Sequence, residues 1–137
     1  MIVADTGAIV ALIDADDRHH ERLRTAFEAA PERWILPWAI LPEVDYLLLH
    51  HVGLEAELAF LRDVAQGRWT VEWGSELDLV RALELCAKHS SLRIGMVDGV
   101  VASVADRLRA DAVATLDERH FATLVAQGDM KLLPRDF

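Results

Sequence analysis

The sequence predicts an α/β protein built on a mostly parallel central sheet flanked by helices. Three observations carry this. Short apolar runs, Ile2-Val3-Ala4, Trp34-Ile35-Leu36 and Ala112–Leu116, each stop at an acid or a proline, as buried parallel strands do. Between them lie segments whose apolar residues recur at helical spacing. The two kinds of segment alternate along 137 residues that are 53% hydrophobic, which suits one domain, residues 1–137, with a real core.

Met1–Gly7 reads as a strand that ends at Asp5 and turns into a helix. That helix covers Gly7–Ile13, with Thr6 as its expected cap. Asp14-Ala15-Asp16-Asp17 breaks the pattern. A second helix is expected from about Asp17 to Ala30, with Leu23, Ala26 and Phe27 inward and a basic cluster of Arg18, His19, Arg22 and Arg24 outward. Pro31 stops it. Trp34-Ile35-Leu36 is the second strand, closed by Pro37. A third helix starts near Ala39, because Pro42 fits only a first turn. It buries Val44, Leu47 and Leu48, and His50-His51-Val52-Gly53 closes it.

Leu54–Gln66 reads as a fourth helix with Leu58, Leu61 and Val64/Ala65 inward, ended by Gly67. Trp69–Trp73 alternates like a strand. Ser75 caps a fifth helix, with Asp78 at the capping-box position, that runs to about His89. Cys86 falls on the side of Leu79 and Leu83 and is expected to pack. A sixth helix carries Val100, Val101, Val104, Ala105 and Leu108, and leads to the strand Ala112–Leu116. Lys131-Leu132-Leu133-Pro134 is a final edge strand.

Composition narrows the function. The formal net charge is −9, which excludes a broad basic face for gripping nucleic acid. It fits a carboxylate-lined cation site, where bound dications offset local repulsion. One cysteine excludes an intrachain disulfide and suits a reducing compartment. No apolar run approaches the roughly 18 residues of a membrane span, and Asp5 and Asp14 interrupt any leader-like stretch. A cytoplasmic location is expected.

The segment Arg93–Phe121 organises the rest. Asp98 opens its helix, between Met96-Val97 and Gly99-Val100-Val101, and Asp117 stands where the following strand stops. Asp5 ends the first strand in the same way. Ligands of open parallel sheets sit beyond the carboxyl ends of strands, where Asp5 and Asp117 both lie. An unpaired carboxylate in apolar surroundings is costly. Asp5 and Asp98 therefore favour a metal site over simple helix capping.

These residues also carry a resemblance. VADTGAIVALID, LPEVDYLLL, RIGMVDGVVASVA and VATLDERHF, in this order and spacing, resemble the PIN domain. Within it they are similar to the VapC-type toxin ribonucleases of bacterial and archaeal toxin–antitoxin pairs. The resemblance spans nearly the whole chain and implies a PIN-like fold. It also implies a metal-dependent endoribonuclease that inhibits translation.

The same resemblance assigns roles to four acids. Asp5 and Asp98 would be the principal metal ligands. Glu43 would bind through water or position a second ion, and Asp117 would complete the cluster. Such hard oxygen ligands suit Mg²⁺, with Mn²⁺ as a substitute. Thr6 and Thr115 would hydrogen-bond a carboxylate or a phosphate. The implied reaction is in-line hydrolysis leaving a 5′-phosphate and a 3′-hydroxyl. The implied partners are a VapB-type antitoxin, a second copy of the chain in a homodimer, and RNA, either transfer RNA or the ribosomal sarcin–ricin loop, with the loop favoured.

Other residues are less telling. Asp45 lies about 200° around the helix from Glu43 and reads as structural, while Glu118 is open between surface charge and outer site. Gly99, where the family often has Ala, is expected to matter little. The six histidines lack a zinc spacing, and His120 reads as a local partner of Asp117. The four tryptophans read mainly as packing. Arg93 and Arg119 flank the acids and are candidate RNA contacts. Two other functions are compatible with the pattern: a non-catalytic PIN-like binding module, and a metal-dependent DNA nuclease.

Overall fold

The computed structural model describes residues 1–125 and 128–137. The elements are β1 (Ile2–Ala4), α1 (Thr6–Ile13), α2 (His20–Ala29), β2 (Trp34–Pro37), α3 (Leu41–Leu47), α4 (Leu54–Ala65), β3 (Thr70–Glu72), α5 (Glu76–Lys88), α6 (Met96–Arg107), β4 (Ala112–Ala114), α7 (Glu118–Leu124) and β5 (Lys131–Leu133). They form one five-stranded sheet in the order β3-β2-β1-β4-β5, with every pairing parallel. The expected α/β architecture is present, and its sheet is wholly parallel.

Val3, Ala4, Leu36, Val113 and Ala114 have no exposed surface, because helices cover both faces of the central strands. Ile2, Val3 and Ala4 of β1 lie opposite Ala112, Val113 and Ala114 of β4. From β1 the chain proceeds to β2 on one side, and β4 later pairs on the other. The strand order reverses there, so a crevice opens beyond the carboxyl ends of β1 and β4. Helix α6 is buried continuously from Gly99 to Ala105. It lies against α5 so closely that a Cβ on Gly99 would meet Ala82 Cβ at 3.0 Å and Ala82 Cα at 3.1 Å. Gly99 therefore sets the helix spacing beside Asp98, contrary to the expectation that an alanine there would matter little.

Other expectations change at the helix ends. Asp5, not Thr6, caps α1, with its carboxylate accepting the Thr6 N–H at 2.8 Å. Helix α2 begins at His20 instead of Asp17, since Asp14 and Asp17 accept the N–H groups of Asp16 and His19 and form their own turns. A 3₁₀ turn, Trp38–Ile40, precedes α3, and a π turn, Leu48–Val52, follows it.

The peripheral helices bury different faces from those expected. In α4 the buried residues are Glu57 and Phe60, and Val64 packs against the core as expected, while Leu58, Leu61 and Ala65 are exposed. In α5 they are Asp78, Ala82 and Leu85, while Leu79 and Leu83 face outward. Cys86 is half-buried, with its thiol 3.6 Å from the Gly95 carbonyl. Each of these helices carries apolar residues on more than one face. Only the face that meets a neighbour of the same chain is covered. Among the tryptophans, Trp34 is buried and packs edge-on against Phe27, with ring centroids 5.5 Å apart, whereas Trp73 is exposed.

Candidate active site

The crevice beyond β1 and β4 gathers all four predicted acids. Asp5 leaves β1 with its backbone N–H still bonded to the Ala114 carbonyl of β4 at 2.8 Å. Its carboxylate is buried. Oδ1 accepts the Thr6 N–H at 2.8 Å, and Oδ2 accepts the Thr115 hydroxyl at 3.0 Å. Burial pushes the Asp5 carboxyl up to about 6, and repulsion from Asp98 adds to it, against the opposing Thr6 and Thr115 hydrogen bonds.

Thr115 has a second task. Its oxygen also accepts the Asp117 N–H at 3.0 Å. One hydroxyl thus links the end of β1 to the turn that follows β4. On the other side, Thr6 Oγ1 donates to Glu43 Oε1 at 2.7 Å and draws the first turn of α3 toward Asp5. Pro42 and Glu43 occupy that first turn, where a missing N–H costs nothing and a carboxylate is favoured.

Asp98 is in the first turn of α6 and half-buried. Burial raises its carboxyl above the usual range. The His120 hydrogen bond works against that rise, and the charges of Asp117 and Glu43 add to it. Asp117 caps α7, with Oδ1 accepting the His120 N–H at 3.2 Å. The His120 ring returns across the same turn. Its Nδ1 lies 2.8 Å from Asp117 Oδ2 and 3.2 Å from Asp98 Oδ2. The expected local partnership of His120 with Asp117 is present, and the ring reaches Asp98 as well. The i,i+3 spacing signals only the pairing with Asp117; the reach to Asp98, 22 positions away, had no signal in the sequence.

Neighbouring charged residues lie outside the cluster. Glu118 is exposed at the start of α7, pointing to surface charge. Asp45 lies beside Glu57 of α4, and this neighbouring carboxyl group, with burial, raises the Glu57 carboxyl above its usual range. Asp45 Oδ1 is buried and accepts no hydrogen bond among the described residues. Of the basic cluster on α2, Arg24 pairs with Glu28 and Arg22 donates to the Pro134 carbonyl. Arg93 and Arg119 are exposed. Beside Glu43, a cavity of about 300 Å³ is lined by Pro42, Glu43, Tyr46 and Leu47.

Residues 2–125 match the PIN domain. The chain belongs to the PIN-domain family. Over 135 residues it is 30% identical to Ribonuclease VapC26 of Mycobacterium tuberculosis (strain ATCC 25618 / H37Rv), covering 97% of this chain and 100% of that protein. Its PIN fold is similar to the crystal structure of Mycobacterium tuberculosis VapC20, a sarcin–ricin loop cleaving toxin. That likeness has a TM-score of 0.81 at 21% identity and covers 90% of this chain and 95% of that one. The FitAcB structure from Neisseria gonorrhoeae matches with a TM-score of 0.69 at 18% identity, over 96% of each chain.

Proposed function

We propose that this PIN protein is a metal-dependent endoribonuclease, the toxin of a VapC-type toxin–antitoxin pair, and that residues 1–137 form one PIN domain. The observation that carries this reading is the meeting of Asp5, Glu43, Asp98 and Asp117, from four separate segments, in one crevice. Full-length likeness to a protein named a ribonuclease supports the substrate class.

The donor set fits a divalent metal. Its oxygens are hard carboxylate ligands, and burial and repulsion raise the cost of ionising Asp5 and Asp98, a cost that a dication relieves. Asp5 and Asp98 would hold the ion directly, Glu43 through water or at a second ion, with Asp117 completing the cluster. Bound Mg²⁺, or Mn²⁺ in its place, supplies Lewis acidity for in-line phosphodiester hydrolysis to a 5′-phosphate and a 3′-hydroxyl. The chain's own part is positioning. Thr6 fixes Glu43, Thr115 fixes Asp5, and the first turns of α6 and α7 aim Asp98 and Asp117. Arg93 and Arg119 would meet the RNA backbone locally, since the overall charge of −9 repels it.

The favoured target is the sarcin–ricin loop of large ribosomal RNA, the loop that the structurally similar VapC20 cleaves, with transfer RNA as the other family substrate. Two apolar surfaces support protein partners. Tyr46, Leu49, Leu54, Leu58 and Leu61 are exposed around α3 and α4, as are Trp73 just before α5 and Leu77, Val80 and Leu83 along it. Together they suit a homodimer and a VapB-type antitoxin. Among the described residues no helix is long and apolar enough to cross a membrane, and the reading places the protein in the cytoplasm.

The test is to map new RNA 5′ ends after purified, antitoxin-free protein meets total RNA with Mg²⁺ or Mn²⁺, with EDTA, and as Asp98→Asn. A single metal-dependent cut, lost in the variant, is expected. Folded protein that cuts nothing would point to a binding module, and a cut that persists in Asp98→Asn would mean the site is elsewhere.

A further inference from the structure

The His120 ring is the one nitrogen donor, among the described residues, in a cluster otherwise made of carboxylates. Ligand atoms of Asp98, Asp117 and His120 lie within 4.8 Å of one another. Two edges of this triangle are 2.8 Å, from Nδ1 to Asp117 Oδ2, and 3.2 Å, from Nδ1 to Asp98 Oδ2. An octahedral ion with ligands at about 2.1 Å has adjacent ligands separated by about 3.0 Å. The two edges bracket that value. The donors are also held in place independently. Asp117 and His120 share the first turn of α7, and Asp98 is anchored in the buried helix α6.

We infer that Asp98, Asp117 and His120 form a mixed nitrogen–oxygen metal subsite, with His120 Nδ1 as a direct ligand, beside the all-oxygen set at Asp5 and Glu43. Asp98 is shared between the two. The inference rests on the metal-dependent reading above and deepens it by adding a ligand. An imidazole is a softer donor than a carboxylate, so this half of the centre takes a first-row transition dication, with Mn²⁺ as the probe, in preference to Mg²⁺. In the loaded state Nδ1 carries the lone pair toward the ion, and Nε2 carries the proton. Without metal, the same nitrogen donates to the two carboxylates and keeps them together.

The decisive experiment is electron spin echo envelope modulation on the full chain loaded with Mn²⁺, for wild type and His120→Asn. Asparagine keeps an amide donor near the Nδ1 position but removes the imidazole. The expected result is a directly bound ¹⁴N coupling in wild type that is absent in the variant. The preference for Mn²⁺ over Mg²⁺ in competition titrations should also fall by about tenfold or more in the variant. Bound Mn²⁺ without ¹⁴N coupling in wild type overturns the inference, and this readout needs no variant to fold. Coupling that survives in His120→Asn overturns it too, by assigning the nitrogen elsewhere. Failure to bind Mn²⁺ in any form would instead sink the metal-dependent reading itself.

Discussion

Thr115 Oγ1 donates to Asp5 Oδ2 at 3.0 Å across 110 positions of sequence. The same oxygen accepts the Asp117 N–H, so one hydroxyl holds two of the four acids. Thr115→Val keeps the shape and removes both hydrogen bonds. The buried Asp5 oxygen then loses its donor and the Asp117 N–H its acceptor. A stability loss of about 1–3 kcal/mol is expected in urea unfolding. RNA cleavage should fall about 10- to 100-fold, as for other groups that orient metal ligands. Unchanged cleavage in Thr115→Val would show that the clamp does not position the site.

Asp5 makes the metal-free protein sensitive to pH. Its folded carboxyl titrates at about 6, against 3.8 in the ordinary state. Below about pH 4 the group is neutral in both folded and unfolded chains and stability is highest. As pH rises toward and through 6, the unfolded chain gives up the proton more readily and stability is lost. The full effect approaches about 3 kcal/mol by pH 7. Denaturation curves from pH 4 to 8 in EDTA should show this fall, and Asp5→Asn should flatten it while abolishing cleavage. A variant with the same pH slope as wild type would refute the assignment to Asp5.

Gly99→Ala tests the spacing of α5 and α6. The new methyl meets Ala82 backbone at 3.1 and 3.2 Å, which cannot yield as a flexible side chain does. Overpacking of this kind costs about 1–3 kcal/mol, and the gain in helix propensity returns about 1 kcal/mol. A net destabilisation of about 1 kcal/mol is expected, with reduced cleavage because Asp98 is the adjacent residue. A stabilised variant would mean the helices move apart freely.

Arg107 joins three elements. It donates to Asp78 Oδ1 and Oδ2 and to Glu72 Oε1, each at 2.9 Å. Asp78 is buried and also accepts the Ser75 N–H of its capping box. Burial acts to raise the Asp78 carboxyl, but the Arg107 and Ser75 hydrogen bonds outweigh it and hold the group below the usual range. Its contribution is therefore present above about pH 4 and lost as pH falls through the lowered folded value. Arg107→Ala leaves a buried carboxylate without its cation and should cost about 1–3 kcal/mol at pH 7, discounted because Arg107 is partly exposed. That deficit should shrink below pH 4. A deficit independent of pH would assign it to lost packing instead.

By itself, the sequence determined the alternation of strand and helix and a mostly parallel sheet, and it singled out four acids that the fold brings together. Buried parallel strands are continuous apolar runs, and an acid placed at the end of such a run stands out against its neighbours. Asp5, Asp98 and Asp117 were legible for that reason, and Glu43 was legible through resemblance to a family pattern. Tertiary structure alone decided which faces of α4 and α5 are buried, because both helices carry several apolar stripes and only a neighbour selects one. It also decided that Gly99 is a contact point, since a missing Cβ matters only when another helix approaches. The meeting of His120 with Asp98 was likewise decided in space. Residues 22 positions apart become partners when β4 and α7 return the chain to the start of α6, and periodicity describes one element at a time.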